Sequence, residues 1–254
     1  MLQLFPTAGD QPIDVRAAVA AESRPGRDGR PWLYTNMIAS ADGGTAVDGL
    51  SGQLGGPGDK TVFAALRSVA DAILVGAATV REERYRPPNQ SDEIVAERRE
   101  RGQAPHPRLA IVTRSLDLDL ELPLFDDPKN RPLILTASSA PPERKAALDE
   151  RAEVLEVGED GVEPSAALAA LAERGVATVL SEGGPSLNGQ LIAAGLVDEW
   201  NLSLSPRLLG GDSRRAAVGH LPGGPPEAMG LSRVWTDDDF LFCRWVRDDA
   251  VAGD

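Results

Sequence analysis

Short apolar runs recur along the chain from Trp32 onward, and turn-forming residues bound each of them. The runs that predict strands are WLYTNMIAS, DAILVGA, RLAIVT, PLILT, AEVLEV, ATVLSE, DEWNLSLS, LSRVW and FLFCRWV. Segments with helical character lie between several of them, at residues 59–70, 142–150, 164–174 and 185–194. Because strands that alternate with helices usually pair in parallel, the pattern predicts an α/β fold with a mostly parallel central sheet and helices on both faces. The last two runs are separated only by TDDD, which predicts a C-terminal antiparallel hairpin.

One compact domain over residues 31–249 is the simplest organisation, because no repeat, low-complexity tract or linker interrupts this pattern. Residues 1–30 contain proline, glycine and charges with only a short apolar pattern, which predicts a peripheral N-terminal segment. The stretch SDEIVAERRERGQ, residues 91–103, is charged almost all round after its first turn. It therefore predicts a solvated excursion rather than a binding helix.

The charge balance limits the partners. The 254 residues include 26 lysines and arginines against 39 aspartates and glutamates, a formal net charge of −13. This charge repels nucleic acid and anionic membranes, so a phosphorylated ligand has to be captured locally by helix N-termini and a few arginines. One cysteine, Cys243, excludes an internal disulfide, and His106 and His220 have no close metal-ligand partner. Without a leader or a long apolar run, we expect a cytoplasmic protein that binds no metal.

The strongest chemical signal is the stretch ATVLSEGGPSLNGQLIAAG, residues 177–195. A buried strand ends there in Glu182, Gly183 and Gly184, and Pro185 then opens a helix at its favoured first position. Such a turn presents backbone N–H groups beside the positive end of the helix, which suits a diphosphate. A tight turn that needs glycine for its conformation alone gives the same sequence. The stretch is not G-x-G-x-x-G, so the ordinary dinucleotide fingerprint is absent.

Two other strand ends carry polar residues, and ligands of parallel sheets bind at the carboxyl ends of strands. DAILVGAATVREE places Gly76 and Thr79 after one strand, with Glu83 a helical turn later. A threonine hydroxyl there can bond a ribose or phosphate oxygen, although small residues capping a helix give the same pattern. RLAIVTRS ends in Thr113 and Arg114, and a guanidinium at this place could hold the 2′-phosphate of NADPH. A surface arginine would look the same.

The stretch TNMIASADGGTAVDG, residues 35–49, places Asn36, Ser40 and Asp42 at even spacing. If the strand continues to Asp42, all three side chains point to one face and suit a small polar ring. The alternative is a strand that runs into a surface turn built by Asp42 and Gly43.

The stretch GQLGGPGDKT resembles a nucleotide phosphate loop but departs from it. In the Walker signature lysine follows the last glycine directly, whereas Asp59 stands here between Gly58 and Lys60. A carboxylate in that cradle would repel the phosphates. The stretch is therefore interpreted as a loop that ends in a helix start, with Asp59 as the N-cap.

Together these stretches resemble the C-terminal reductase domain of the bifunctional riboflavin-biosynthesis deaminase/reductase, a member of the dihydrofolate-reductase-like superfamily. The matching elements are NMIASADGGTAVDG, GDKTVFAALRSVADAILVGAATVREE, LAIVTRS, SEGGPSLNGQLIAAGLVDEWNLSLSPRLLGG and the closing hairpin. They stand in the family order and cover about residues 32–247.

The resemblance implies a dihydrofolate-reductase-like fold that binds NADPH and reduces a diaminopyrimidine ribosylamino 5′-phosphate to its ribityl form by hydride transfer. It implies the following cofactor contacts: Ile38, Ser40, Gly76, Thr79, Glu83, Thr113, Arg114, Gly183, Gly184, Pro185, Ser186 and Leu187. The implied substrate contacts are Asn36, Asp42, Asp59, Arg67 and Glu182. Three carboxyl groups are candidates for the proton step, those of Asp42, Asp59 and Glu182.

Two departures from the family leave alternatives open. Gly44 stands where the family commonly has lysine or arginine, and no zinc-deaminase signature is present. A dihydrofolate-reductase-like enzyme acting on folate or another pteridine, or a non-catalytic nucleotide-binding protein of the same fold, is the alternative to the pyrimidine reductase. The run GLVDEWNLSLSPRLLGG ends in an alternating strand through which family members usually pair, so we expect a homodimer, although a solvent-facing edge strand would also fit.

Overall fold

Ten strands and seven α-helices alternate along residues 1–219 and 226–248, the part of the chain that the computed structural model describes. The strands are β1 (Leu2–Phe5), β2 (Trp32–Ser40), β3 (Ala72–Gly76), β4 (Arg108–Val112), β5 (Leu133–Thr136), β6 (Glu153–Glu156), β7 (Thr178–Ser181), β8 (Glu199–Ser205), β9 (Met229–Asp237) and β10 (Phe240–Arg247). The helices are α1 (Val15–Ala20), α2 (Pro57–Val69), α3 (Ala77–Glu82), α4 (Asp92–Glu100), α5 (Pro142–Leu148), α6 (Pro164–Ala172) and α7 (Pro185–Ala193). Each of the nine predicted strands is present, and α2, α5, α6 and α7 occupy the predicted helical segments. His220 and the predicted domain end at residue 249 lie outside the described residues.

The chain divides into two compact units. The first contains Met1–Ser23, Leu33–Val69 and the described residues from Ser181 onward, and the second contains Arg24–Trp32 and Ala70–Leu180. The organisation as one domain over residues 31–249 stays a prediction.

The first unit contains β1, β9, β10, β8 and β2 in that spatial order. β2 and β8 run parallel with Ser40 beside Ser205, so their carboxyl ends lie next to each other. β9 and β10 form the predicted antiparallel hairpin, and β10 pairs antiparallel with β8. β1 pairs antiparallel with β9, so the segment predicted to be peripheral supplies an edge strand. Its four residues are mostly exposed and too few to give an apolar pattern in the sequence.

Helices α1 and α2 pack against each other in the first unit. Asp14 caps α1, where its carboxylate accepts a hydrogen bond from the Ala17 N–H at 3.0 Å, and α1 buries Val19. α2 begins at Pro57, two residues before Asp59, so the prediction that Asp59 caps this helix is wrong. Proline suits the first helical position because its φ is pre-set and its missing N–H is not needed there. Asp59 lies instead in the first turn, where its charge is favourable to the helix dipole.

The second unit contains β7, β3, β4, β5 and β6 in that spatial order, and β3 to β6 pair in parallel. Ile73, Ile111 and Ile134 lie in the middle of three of these strands and are fully buried. Strands covered on both faces are apolar along their whole length, which explains why the sequence shows them as continuous apolar runs. The α/β class and the mostly parallel pairing are thereby confirmed.

The charged stretch after α3 differs from the sequence expectation. It forms the nine-residue helix α4, which Ser91 caps and which buries Val95 and Arg98. The Arg98 guanidinium donates hydrogen bonds to the carbonyls of Ala70 at 2.7 Å and Ala104 at 2.8 Å. A charge that docks on backbone carbonyls cannot be distinguished from a solvated one in the sequence. Among the residues that the structure describes, no helix combines the length and the apolarity needed to cross a bilayer.

Candidate active site

The turn after β2 is built by Ser40. β2 ends at this residue, so Asp42 lies beyond the strand, and the expectation that Asn36, Ser40 and Asp42 share one strand face is wrong for Asp42. The Ser40 carbonyl accepts a hydrogen bond from the Gly43 N–H at 2.9 Å, and the Ser40 hydroxyl oxygen accepts one from the Gly44 N–H at 2.9 Å. These bonds reverse the chain immediately after the strand. The alternative of a strand running into a turn is therefore the one that the structure shows.

Asp42 binds the segment that follows β8. Its carboxylate accepts hydrogen bonds from the backbone N–H groups of Leu209 at 3.1 Å and Gly210 at 2.7 Å, and from the Ser40 hydroxyl at 2.5 Å. The Ser40 hydroxyl and these two N–H groups lower the pKa of Asp42 from 3.8 to about 2. Asp42 is therefore ionised at neutral pH, with its oxygens already occupied.

Asp59, Phe63 and Arg67 follow one another at intervals of four residues along α2. Residues at this spacing lie on the same side of a helix, and all three side chains are half-buried. The Arg67 guanidinium stands over the Phe63 ring, with its carbon 4.2 Å from the ring centre. The side of α2 formed by these three residues is called the α2 stripe below. Phe63 was not among the predicted residues, although the spacing from Asp59 and Arg67 would have indicated it.

The carboxyl group of Asp59 lies in a partly desolvated place. Burial raises its pKa above the ordinary value, while a hydrogen bond from the Ser203 hydroxyl and the charge of Lys60 act against the rise. Ser203 is paired in register with Ile38 of β2, and residues paired in this way point to the same face of a sheet. Ile38 and Asp59 are thus both neighbours of Ser203, and Asn36 and Ser40 lie on the same face of β2 as Ile38.

Arg67 and Glu182 form a two-pronged ion pair. The Nε and Nη2 of Arg67 donate to the two carboxylate oxygens of Glu182, each at 2.6 Å. The Glu182 side chain is 3% exposed and the Arg67 side chain 21% exposed. Two charge-assisted hydrogen bonds in this planar geometry hold both groups in a fixed orientation. The structure therefore brings together two residues that the sequence predicted only as separate substrate contacts.

The turn between β7 and α7 has the predicted form. Gly183 has φ +84° and is joined to Gly184 by a cis peptide bond, and Pro185 takes the first position of the helix. A Cβ on Gly183 would lie 3.2 Å from Nδ2 of Asn188, so the backbone is closely approached on that side. The first turn of α7, which includes Ser186 and Leu187, contains no acidic residue.

The sequence places Asn188 at the end of this turn but does not show its buried partners. Asn188 is fully buried, and its amide donates to the Ala216 carbonyl at 2.9 Å and accepts from the Ser181 hydroxyl at 3.2 Å. Its amide also lies 3.2 Å from the Met37 sulfur. Asn188 thus fixes the start of α7 against Met37 and Ser181. The position of Asn188 in S-E-G-G-P-S-L-N indicates a polar side chain that faces the core, and such a side chain needs hydrogen-bond partners.

The remaining predicted cofactor residues belong to the second unit. Gly76 is the N-cap of α3, Thr79 lies inside this helix, and Glu83 is its C-cap. The Thr113 hydroxyl oxygen accepts a hydrogen bond from the Leu116 N–H at 3.0 Å, and Arg114 is exposed. Within this unit the hydroxyl of Thr113 therefore shapes the turn after β4.

The fold is that of a pyrimidine reductase. A pyrimidine reductase-like protein from Corynebacterium diphtheriae superposes with a TM-score of 0.77 and 26% identity, covering 85% of this chain and 91% of that one. RibD of Acinetobacter baumannii shares the fold with a TM-score of 0.70 and 21% identity, covering 86% of this chain and 58% of that one. The predicted α/β fold of a pyrimidine reductase is confirmed.

The chain belongs to the RibD C-terminal domain family, whose model matches residues 31–248. It is 32% identical over 183 residues to the 2,5-diamino-6-ribosylamino-4(3H)-pyrimidinone 5′-phosphate reductase of Archaeoglobus fulgidus, covering 72% of this chain and 83% of the relative. It is 30% identical over 190 residues to the reductase of the same name from Methanothermobacter thermautotrophicus, covering 74% and 84%. The family resemblance that the sequence motifs indicated is thereby confirmed.

Proposed function

We propose that this protein is an NADPH-dependent reductase that converts the ribosyl group of 2,5-diamino-6-ribosylamino-4(3H)-pyrimidinone 5′-phosphate into a ribityl group. Two relatives carry this substrate in their names, and the family is shared. The observation that carries the proposal for this chain is the α2 stripe. It offers a carboxylate, an aromatic ring and a fixed guanidinium on one side of a helix.

The α2 stripe fits a diaminopyrimidinone. The ring presents adjacent N–H donors from its lactam nitrogen and its 2-amino group, and one ionised carboxylate can accept both. We assign this contact to Asp59, because charge-assisted hydrogen bonds are about twice as strong as neutral ones. Phe63 offers its half-buried ring for stacking. Arg67, held by Glu182, is assigned to the oxygen-rich ribosyl phosphate, and Glu182 to fixing its plane.

The turn at the start of α7 fits the diphosphate of a dinucleotide. Backbone N–H groups in the first turn of a helix lack intrahelical acceptors, and here no carboxylate competes for them. The N–H groups of Gly184, Ser186 and Leu187 would therefore hold the diphosphate, while Gly183 and Pro185 shape the turn that presents them. When bound, the reduced nicotinamide supplies a hydride to C1′ of the substrate.

The face of β2 that carries Asn36, Ile38 and Ser40 is assigned to the nicotinamide ring. Its support is the register of Ile38 with Ser203, since Ser203 also binds Asp59 of the substrate site. A flat ring against Ile38 would then lie next to the pyrimidine. Hydride transfer needs the reacting carbons to lie about 3–3.5 Å apart, so the nicotinamide and the substrate have to be neighbours. Gly76, Thr79, Glu83, Thr113 and Arg114 stay predicted contacts to the rest of the cofactor.

The reaction consumes one proton. The C1′–O4′ bond opens to an iminium, in which the nitrogen keeps its proton, and the ring oxygen takes the proton that the reaction consumes. The hydride then adds to C1′, and the nitrogen ends as a secondary amine. Asp42 is a poor proton carrier because its pKa is about 2, and Glu182 accepts two hydrogen bonds from Arg67. Asp59 holds the ring edge as an anion and has no proton to give there, so we assign the proton to solvent water.

A homodimer is proposed from the apolar face of the first unit. On β8 the residues at alternate positions from Glu199 to Ser205 are buried and polar, whereas the intervening apolar residues are half-buried. In register these pair with apolar neighbours, since Leu204 lies beside Leu241 and Trp200 beside Trp245. Leu241 is 36% exposed. A contiguous apolar surface of this kind is a typical self-association site.

The dimer is tested by mass measurement in solution. Replacing Leu241 with lysine is expected to give monomers, because it places a charge on this face. The control is Leu208→Lys, since Leu208 is 80% exposed and lies outside the strand. A monomeric parent protein, or a dimer in Leu241→Lys, would rule out this interface.

The activity is tested by mixing the protein with NADPH and each candidate substrate, and following the loss of reduced-nicotinamide absorbance. We expect oxidation with the diaminopyrimidinone ribosylamino phosphate and none with dihydrofolate. Oxidation with dihydrofolate would favour the pteridine enzyme, for which the same Asp59 carboxylate would grip the 2-amino-4-oxo ring. Tight NADPH binding without turnover of either substrate would support the non-catalytic protein.

A further inference from the structure

The turn after β2 and the segment after β8 are held together along their length. Residues 41–46 are called the β2 turn and residues 207–214 the covering segment. The Ala41 N–H donates to the Arg207 carbonyl at 2.8 Å, and the Thr45 hydroxyl donates to the Arg214 carbonyl at 2.7 Å. Ser213 adds a hydroxyl that donates to the Ala46 carbonyl at 3.1 Å and accepts from the Thr45 N–H at 3.1 Å.

Gly44 lies underneath the covering segment. A Cβ at this position would stand 2.8 Å from the Ser213 Cβ and 2.9 Å from the Leu209 Cδ1, closer than side chains approach. The covering segment thus has its present place only because position 44 has no side chain. The absence of a basic residue at Gly44, which the sequence showed as a departure, follows from this packing.

Within residues 1–219 and 226–248, Asp42 has the only charged side chain that forms hydrogen bonds between the β2 turn and the covering segment. It accepts from two successive backbone N–H groups, those of Leu209 and Gly210, and from the Ser40 hydroxyl of its own turn. Bonds from N–H groups to a carboxylate are among the stronger ones, and successive N–H groups form an anion-binding concavity. The Asp42 carboxylate therefore joins the β2 turn to the covering segment, and this contact is called the junction below.

We propose that Asp42 is a positioning residue of the reductase, which fixes the covering segment onto the β2 turn and so sets the entrance to α2. The inference rests on the proposed function in one respect, that the α2 stripe binds the substrate. β2 and β8 run parallel with adjacent carboxyl ends, where ligands of such sheets bind. The chain passes from the β2 turn through residues 47–56 to Pro57, where α2 begins. Ser205 fixes this passage by donating to the Leu54 carbonyl at 2.9 Å.

Kinetics of Asp42→Asn and Asp42→Ala separate positioning from chemistry. We expect kcat/KM for the pyrimidine substrate to fall by about tenfold to a hundredfold through KM, the size that misplacement of a binding group causes. The asparagine variant keeps one acceptor oxygen and should lose less than the alanine variant. A residue that delivered the proton would instead lower kcat by about 10²–10⁴ in both variants. A collapse of kcat of that size with KM unchanged would overturn the proposal.

Limited trypsin digestion tests the junction without any assay of activity. Arg207 and Arg214 are exposed cleavage sites whose backbone carbonyls are hydrogen-bonded in the junction. We expect cleavage after these arginines to be faster in Asp42→Ala than in the parent protein. The control is Asp48→Asn, which removes an exposed carboxylate from the same part of the chain. Equal cleavage of Asp42→Ala and the control would overturn the proposal, whatever substrate the enzyme proves to use.

Discussion

Replacing Arg67 with methionine is expected to destabilise the protein more than replacing Glu182 with glutamine. The two side chains share two hydrogen bonds of 2.6 Å, but their surroundings differ. The Glu182 side chain is 3% exposed, so without Arg67 its charge stays inside the protein and loses both charge-assisted bonds. The Arg67 side chain is 21% exposed, so without the Glu182 charge it can turn to water.

The magnitudes follow from this asymmetry. Removing one partner of a buried ion pair costs about 3–5 kcal/mol when the remaining charge stays buried. Arg67→Met belongs to this case. Glu182→Gln leaves a neutral amide beside an arginine with access to water, and the loss of hydrogen bonding amounts to about 1–2 kcal/mol. The double variant should cost clearly less than the sum, because the unfavourable buried charge is then absent.

The assay is urea unfolding followed by circular dichroism, with the parent, the two single variants and the double variant at neutral pH. Arg99→Met is the control, since Arg99 is exposed on α4. If Glu182→Gln proved as costly as Arg67→Met, the argument from burial would be refuted. If the two single effects simply added, the ion pair itself would not be the source of the loss.

Three further outcomes are expected. The kcat/KM should rise with pH through the pKa of Asp59, which burial raises above 3.8, because the free enzyme binds the ring with the ionised carboxylate. This rise of kcat/KM with pH should be absent in Asp59→Asn. Gly44→Ala should cost about 1–3 kcal/mol in urea unfolding through overpacking, whereas Gly52→Ala, with open space around the added carbon, should stay near the parent. Arg114→Ala should raise the KM for NADPH but not for NADH, and equal effects on both would remove Arg114 from the 2′-phosphate.

The burial of Asp59 also predicts a trade-off between activity and stability. The folded state raises the pKa of this acid, so folding favours its protonated form. Stability is therefore lost as the pH rises from the unfolded pKa through the folded one, and at neutral pH the ionised Asp59 costs free energy. Asp59→Asn should raise the free energy of unfolding at neutral pH while it lowers turnover. A loss of stability in this variant would contradict the desolvation argument.

The sequence predicted the strands well because their signal is local. Runs such as DAILVGA and PLILT are apolar throughout, and the structure buries them on both faces, so no long-range information is needed to find them. β1 escaped prediction because its pairing with β9 joins the first residues to a strand near the end of the chain. Nothing within LQLF indicates that partner.

The site was predictable where a turn needs particular residues and not where side chains find distant partners. The start of α7 is predictable from Gly183, Gly184 and Pro185. A φ of +84° favours glycine at position 183, and the first helical position favours proline. The pairing of Arg67 with Glu182 joins residues far apart in the chain, and the contact of Asp42 with Gly210 does the same. A single sequence shows each of these residues but not its partner.

On β8 the polar residues are buried and the apolar residues are partly exposed, the reverse of the usual pattern, and each face has a role. A strand that buries polar residues must satisfy them, and two of the partners lie in the site: Ser203 binds Asp59, and Ser205 binds the Leu54 carbonyl before α2. The carboxyl end of this buried face therefore helps to position the α2 stripe. Its apolar residues then face the other side, where Leu204 and Leu241 adjoin and Leu241 is exposed. Because alternation along a strand is strict, polar residues that serve the site on one face leave the apolar ones for a partner on the other.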